Sequence, residues 1–284
     1  MAKTTKAQLF IAQVLADTLS ATFAGRKALY GTGAVVTNPG LSSETLGEKV
    51  QVPYFNSLGE FETLANDGDA LTPAQITSAA DESTVQHAGK AFEVTNWAQM
   101  AAVGDPYQEA ANQMAEGAYR TFDKALITAA STTSLSLDIT GRATKTWHWD
   151  AYVDAKLKWG DEQENIELIV CHSKVYGDML KEKDADGRPL LVDPRDGKLP
   201  RYGGIPVMVS DRCTVNAGAP NTYESLVLKK GALALWYNDG IGVETDKDIL
   251  VNSIVAAVHV YFVAHLYRRC AGGTKQGVVK VVTQ

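Results

Sequence analysis

The chain has 284 residues, 45% hydrophobic and 21% charged, with a formal net charge of −6. That apolar fraction excludes a disordered chain, and the length allows one large domain or two ordinary ones. The negative balance argues against a protein whose main task is gripping nucleic acid, which needs clustered Lys and Arg against phosphates, but it leaves room for a container that merely encloses nucleic acid. The pairs Lys229-Lys230 and Arg268-Arg269 read as solvated surface. Cys171, Cys213 and Cys270 are far apart and form no CxxC. They give no disulfide framework and suit a reducing compartment.

Residues 1–47 read as an N-terminal arm. Ile11, Leu15, Leu19 and Phe23 recur every four residues and predict an amphipathic helix near 7–24. Gln13, Asp17, Thr18 and Ser20 interrupt any signal-peptide core, so no export signal is expected. Residues 48–95 read as one long hairpin. Val50, Val52, Tyr54 and Phe61 lie on the outgoing limb, and Val85, Phe92 and Val94 on the returning one. Asn66-Asp67-Gly68-Asp69 and Thr72-Pro73 form a turn-rich tip. A hairpin so poor in apolar residues is marginal alone and must lie on something.

Asp105 and Pro106 then open a helix predicted over 106–130, with Asp105 at the N-cap and Gln108 completing a capping-box-like pattern. Its apolar stripe runs through Tyr107, Ala110, Met114, Ala118, Phe122 and Leu126, and the small residues Ala111, Ala115, Gly117 and Ala118 would permit close packing. Alternating elements follow. A helix from Trp149 ends at Gly160, a strand spans Ile166–Cys171, and a helix is capped by Ser173. A long polar loop, 184–204, precedes strands at 205–209, 223–228, 233–237 and 241–244. The segment 249–267 holds Asn252, Ser253, His259 and His265 and alternates in its second half, which reads as a long β-strand and not a membrane span. A strand at 277–282 closes the chain, and the class is α+β.

No catalytic constellation emerges. The sequence holds no GxSxG, HExxH or P-loop, and Gly31-Thr32-Gly33 lacks the third glycine of a dinucleotide fingerprint. His259 and His265 share a strand face but lie roughly 20 Å apart, too far to share a metal. Asp184-Ala185-Asp186-Gly187 hints at a calcium loop, yet its glycine comes early and Arg195 stands where the closing glutamate belongs. No cofactor, metal or catalytic residue is expected. Asp193, Arg195, Asp196, Lys198 and Arg201 read as a solvated or intersubunit charge cluster.

The order of arm, polar hairpin, long helix, α/β segment and closing strand resembles the major capsid proteins of tailed bacteriophages, the Hong Kong 97 type of fold. The run Arg201-Tyr202-Gly203-Gly204-Ile205-Pro206-Val207-Met208-Val209-Ser210-Asp211 is similar to that family's GxPVxxSD strand and turn, and Leu228-Lys229-Lys230-Gly231-Ala232-Leu233 with Trp236 to its next strand pair. The resemblance implies an assignment of parts. Residues 48–95 would be the extended loop over a neighbour, 96–145 peripheral domain with a spine helix at 106–130, 146–245 axial domain, and 246–284 the peripheral return. It implies a structural subunit, not an enzyme, forming hexamers and pentamers in an icosahedral shell around double-stranded DNA. Assembly would occur in the host cytoplasm with a separate scaffolding protein and a portal, without sequence-specific DNA binding or membrane contact, and the finished location would be the virion capsid. The tip Asn66, Asp67, Gly68 and Asp69 and the charged residues Asp193 to Arg201 are the expected intersubunit positions. Lys49 and Lys90 flank the hairpin, but no crosslink is expected, since nothing supplies a catalytic acid or acceptor. The rival readings are a bacterial nanocompartment shell, an enzyme of unknown class and another virion component.

Overall fold

The computed structural model describes residues 29–41, 48–63, 70–101, 106–184, 186–192, 199–238, 242–269 and 274–284. The expected helix near 7–24, the cap at Asp105 and the hairpin tip Asn66–Asp69 lie outside them.

The elements, in chain order, are β1 (Val35–Asn38), β2 (Lys49–Phe55), β3 (Ser78–Thr84), β4 (Gln86–Thr95), α1 (Asn96–Ala101), α2 (Pro106–Ser131), β5 (Ser136–Asp138), α3 (Trp149–Leu157), β6 (Ile166–Cys171), α4 (Ser173–Lys181), β7 (Leu191–Val192), β8 (Arg201–Tyr202), β9 (Ile205–Val209), β10 (Val215–Asn216), β11 (Thr222–Lys229), β12 (Leu233–Tyr237), β13 (Gly242–Asp248), β14 (Ser253–Leu266) and β15 (Val278–Thr283). A 3-10 turn at Leu29–Gly31 precedes β1.

An eight-stranded sheet runs β5-β15-β11-β6-β9-β8-β7, with β10 also on β11. Side chains alternate across a strand, so neighbours in sequence face opposite sides. Leu168, Val170, Leu226, Leu228 and Val278 enter one core, and Ile169, Cys171, Val227, Val279 and Val281 enter another. Both faces are therefore covered, which explains the unbroken apolar run Ile166–Cys171. The second core is closed by Ala151, Tyr152 and Ala155 of α3, Val175 and Met179 of α4, and the buried rings of Trp147, Trp159 and Tyr202.

The first core is closed by α2 and a five-stranded sheet. With 26 residues, α2 is about 39 Å long. Its C-terminal half buries Phe122, Leu126, Ile127 and Ala130, and Phe122 meets Phe262 edge-on at 5.0 Å. Strand β14 is the axis of this sheet. It pairs with β4 along one edge and with β12 and then β13 along the other. Its even-numbered residues Ala256, Val258, Val260 and Phe262 are buried, while the odd-numbered residues from Val255 to Tyr261 are half-exposed. Gly117 of α2 makes no use of the close packing that its size permits. A Cβ there would meet nothing within 4 Å, because the N-terminal half of the helix overhangs the sheet with a gap of about 250 Å³.

Two further expectations are corrected. The hairpin ladder ends at Thr84, where Lys49 pairs with Thr84 and Phe55 with Ser78. From Gln86 the chain joins β14 instead, because Ala88 and Phe92 pack on the first core whereas β2 and β3 bury no residue. The loop 184–204 carries strands β7 and β8, and β8 turns into β9 through Gly203 and Gly204 at φ +57 and +88. A two-residue hairpin turn of that kind needs positive φ at both positions, and a Cβ on Gly203 would stand 2.4 Å from the Trp149 ring. The two sheets also draw strands from interleaved parts of the chain. β12 pairs with β14, while β15 lies between β11 and β5. The chain changes sheet at the turn after Lys229, where Gly231 has φ +65, and returns after Arg269.

Leu168 and Ile169 adjoin in sequence but serve different cores. Leu168→Ala and Ile169→Ala are each expected to lower the unfolding free energy by about 2–5 kcal/mol, read from urea denaturation of the unassembled chain. A loss below about 1 kcal/mol at either position would mean that its face is open to water.

Candidate functional site

Among the described residues no group of three or more His, Cys, Asp or Glu is placed to hold a metal. Cys171 and Cys213 are buried, and burial pushes both thiols up, Cys213 to about 12. Neither is a ready nucleophile. Cys270 lies outside the described residues. Asp184 Oδ1 accepts the amides of Asp186 (3.0 Å) and Arg188 (2.7 Å), so its carboxylate holds a turn.

Among the described residues the closest approach to a catalytic set is Ser173, His172 and Asp211. Ser173 Oγ lies 3.4 Å from His172 Nδ1, and His172 Nε2 lies 3.7 Å from Asp211 Oδ1. But Nδ1 accepts the Lys174 amide at 3.2 Å, which makes His172, not Ser173, the N-cap of α4. Its lone pair is spent, and it cannot take a proton from Ser173. The Ser173 hydroxyl instead donates to Asp211 and holds that carboxyl below its usual range.

The built feature is mechanical. Toward the far end of the β2–β3 ladder, where Phe55 pairs with Ser78, Arg268 Nη1 donates to Tyr54 Oη at 2.7 Å and lies 3.5 Å from Asp81 Oδ1, with its guanidinium 5.1 Å from the Tyr54 ring centre. Arg269 Nη1 donates to the Phe55 carbonyl at 3.1 Å. Ser83 Oγ and His265 Nδ1 are 2.7 Å apart, and burial lowers the His265 pKa, so the ring is neutral near pH 7. All three contacts tie the hairpin to the end of β14. Behind them a polar cleft of about 780 Å³ opens among Asp81, Ser83, Thr132, His265, Arg268 and Lys275. Within the hairpin, Lys49 Nζ and Gln51 Nε2 both donate to Glu82 (2.7 and 3.1 Å). Exposed pairs of that kind contribute little.

Beyond the clamp, Phe55, Leu58, Phe61, Leu71 and Ile76 are all exposed, Phe61 completely. Large apolar side chains gathered on one projecting element mark an interaction surface. Of the residues expected at subunit contacts, Arg201 is exposed on β8, opposite Val192 and Pro206. Asn66, Asp67, Gly68, Asp69, Asp193, Arg195, Asp196 and Lys198 lie outside the described residues. Sequence reasoning missed the clamp: Arg268-Arg269 read as solvated surface. The available signal was their place directly after the longest alternating strand.

A family model described as phage capsid protein matches residues 79–280. The chain belongs to the phage capsid protein family. It is 25% identical over 230 residues to the major capsid protein of Bacillus phage SPP1, covering 77% of this chain and 70% of that one. Its fold matches the capsid of Ralstonia phage GP4 with a TM-score of 0.67 at 13% identity, over 92% of this chain and 90% of that one. It also matches the capsid of a native GTA particle with a TM-score of 0.63 at 16% identity, over 91% and 92%. The chain is thus a structural capsid subunit with the tailed-phage, Hong Kong 97 type of fold.

In this capsid protein the arm enters the body at a second anchor. Asp123 of α2 is buried, and its Oδ1 accepts the Leu29 amide at 3.1 Å. Burial raises the carboxyl to about 6, against the Tyr119 and Leu29 hydrogen bonds and the charge of Arg212. A carboxyl raised from 3.8 contributes stability that is complete below about pH 3.8 and lost as pH rises through about 6. The stability difference between the native chain and Asp123→Asn should therefore favour the native chain more at pH 4.5 than at pH 7.5, as read from urea midpoints. A difference independent of pH would refute the assignment. At the clamp, Arg268→Ala should speed amide exchange in β2 and β3 at least tenfold while leaving β11 unchanged. Equal protection in the variant would show that Arg268 does not hold the hairpin.

Proposed function

We propose that copies of this subunit close into an icosahedral shell of hexamers and pentamers around double-stranded DNA, with each hairpin laid over a neighbouring copy. The observation that carries this reading is the hairpin itself. It is fixed to the body along its ladder, buries no residue in that ladder, and presents five exposed large apolar side chains with no cover among the described residues. Membership of the capsid family supplies the partner, a further copy of the same chain.

On this reading α2 is the spine of the peripheral domain, which also takes the five-stranded sheet and the returning strand β14. The eight-stranded sheet with α3 and α4 forms most of the axial domain, and the segment 184–204 stands near the capsomer centre. Asn66 to Asp69 at the tip, with Asp193, Arg195, Asp196, Lys198 and Arg201, would meet neighbouring copies. The role is structural and not enzymatic. Assembly would take place in the host cytoplasm with a separate scaffolding protein and a portal. The net charge of −6 suits a container filled by a motor, since little protein–DNA attraction has to be overcome.

Deleting residues 66–74 tests this. The expected product is a soluble, folded subunit that forms no shells, whereas the intact chain, coexpressed with its scaffold, gives particles holding nuclease-protected DNA. Normal particles from the deletion would overturn the role of the hairpin. Particles of the intact chain filled with protein and free of nucleic acid would overturn the genome-shell reading.

A further inference from the structure

On the solvent face of the five-stranded sheet, two histidines that are far apart in sequence meet across β4 and β14. His87 Nε2 and His259 Nδ1 stand 3.0 Å apart. The register pairs His87 with Tyr261 and Gly89 with His259, so the two imidazoles are diagonal neighbours. Two features hold them there. The His87 ring stacks on Tyr261 at 4.5 Å, with 13° between planes. Gly89 leaves the strand bare beneath His259, where a Cβ would stand 2.8 Å from the ring's Nδ1.

We propose that His87 and His259 form a two-imidazole site for a divalent transition ion, with Cu2+ preferred. The two rings are now joined by a hydrogen bond of 3.0 Å, with centres 5.2 Å apart and 30° between planes, and an ion would take the place of that bond. Imidazole suits Cu2+, Ni2+ and Zn2+ alike, and Cu2+ heads the general affinity order. Each neutral ring carries one proton, and one of the facing nitrogens now donates to the other. On binding, the donor ring moves its proton to its far nitrogen, both facing lone pairs turn to the ion, and no proton is released. No third His, Cys, Asp or Glu among the described residues completes a group, so water fills the remaining positions. The site is a surface chelate, independent of the assembly reading.

The full chain titrated with Cu2+ and followed by electron paramagnetic resonance should bind one equivalent with a two-nitrogen hyperfine pattern. Calorimetry should rank Cu2+ above both Ni2+ and Zn2+. His87→Ala and His259→Ala should each weaken Cu2+ binding at least tenfold, and His172→Ala less than twofold, with thermal midpoints showing that all three are folded. The proposal fails if both site variants keep binding within twofold, if the nitrogen pattern survives their combination, or if Zn2+ binds as tightly as Cu2+.

Discussion

The subunit depends on one sheet that is buried from both sides. In β6 and β11 successive residues alternate between two cores, so each strand serves as the wall of both. One wall receives the long helix and the five-stranded sheet; the other receives α3, α4 and the Trp147, Trp159 and Tyr202 rings. A sheet so enclosed has no free face to slip on, because a shift of one residue would exchange every side chain between the cores. Polar groups within it must be matched locally. Lys229, nearly buried at the end of β11, lays its ammonium 4.8 Å from the Trp159 ring centre and donates to the Glu162 carbonyl. The rigid frame lets the projecting parts of the molecule be weakly held without endangering the fold.

The hairpin is the opposite case. Its ladder is complete, but a two-stranded ribbon without a buried face has little intrinsic stability. Its direction is set along the ladder, by the Ser83–His265 contact near the root and by Arg268 and Arg269 at the far end. Guanidinium groups suit that task, since one planar group reaches an aromatic face, a hydroxyl and a carboxylate at once. The clamp holds the ladder against the end of β14, and Leu58, Phe61, Leu71 and Ile76 beyond it stay exposed.

Much of the fold was legible because periodicity reports burial directly. The strand Ile166–Cys171, the strand 233–237 and a long helix from Pro106 stand where the apolar pattern puts them. What escaped depends on contacts that no local pattern encodes. The hairpin limb appeared continuous through Val94 because Val85 and Phe92 read as one strand. Only the position of the long helix makes Ala88 and Phe92 leave the ladder for the core. Asp123 is one acidic residue in an apolar stripe, and its meaning comes from Leu29, 94 positions away. His259 was weighed against His265, on its own strand, while its neighbour in space is His87, which only the register of β4 on β14 discloses. Arg268 and Arg269 were visible as charges, but their partners lie 214 residues earlier.

The polarity of the hairpin also bears on how a shell can assemble without error. Fully burying five large apolar side chains would contribute about 1.5–3 kcal/mol each, roughly 8–15 kcal/mol in all. Immobilising a partner costs about 4–15 kcal/mol. On the proposed reading a single hairpin contact would therefore come close to balance, and two copies meeting alone would stay dissociable. Closed symmetry changes the sum, because a copy entering a ring gains contacts on both sides while its rotational and translational freedom is lost only once. A more apolar hairpin would trap wrong pairs before the ring closed, and a wholly polar one would not hold when it did. The mixture of Thr77, Asp81, Glu82 and Ser83 with Phe55, Phe61 and Ile76 sits between those failures.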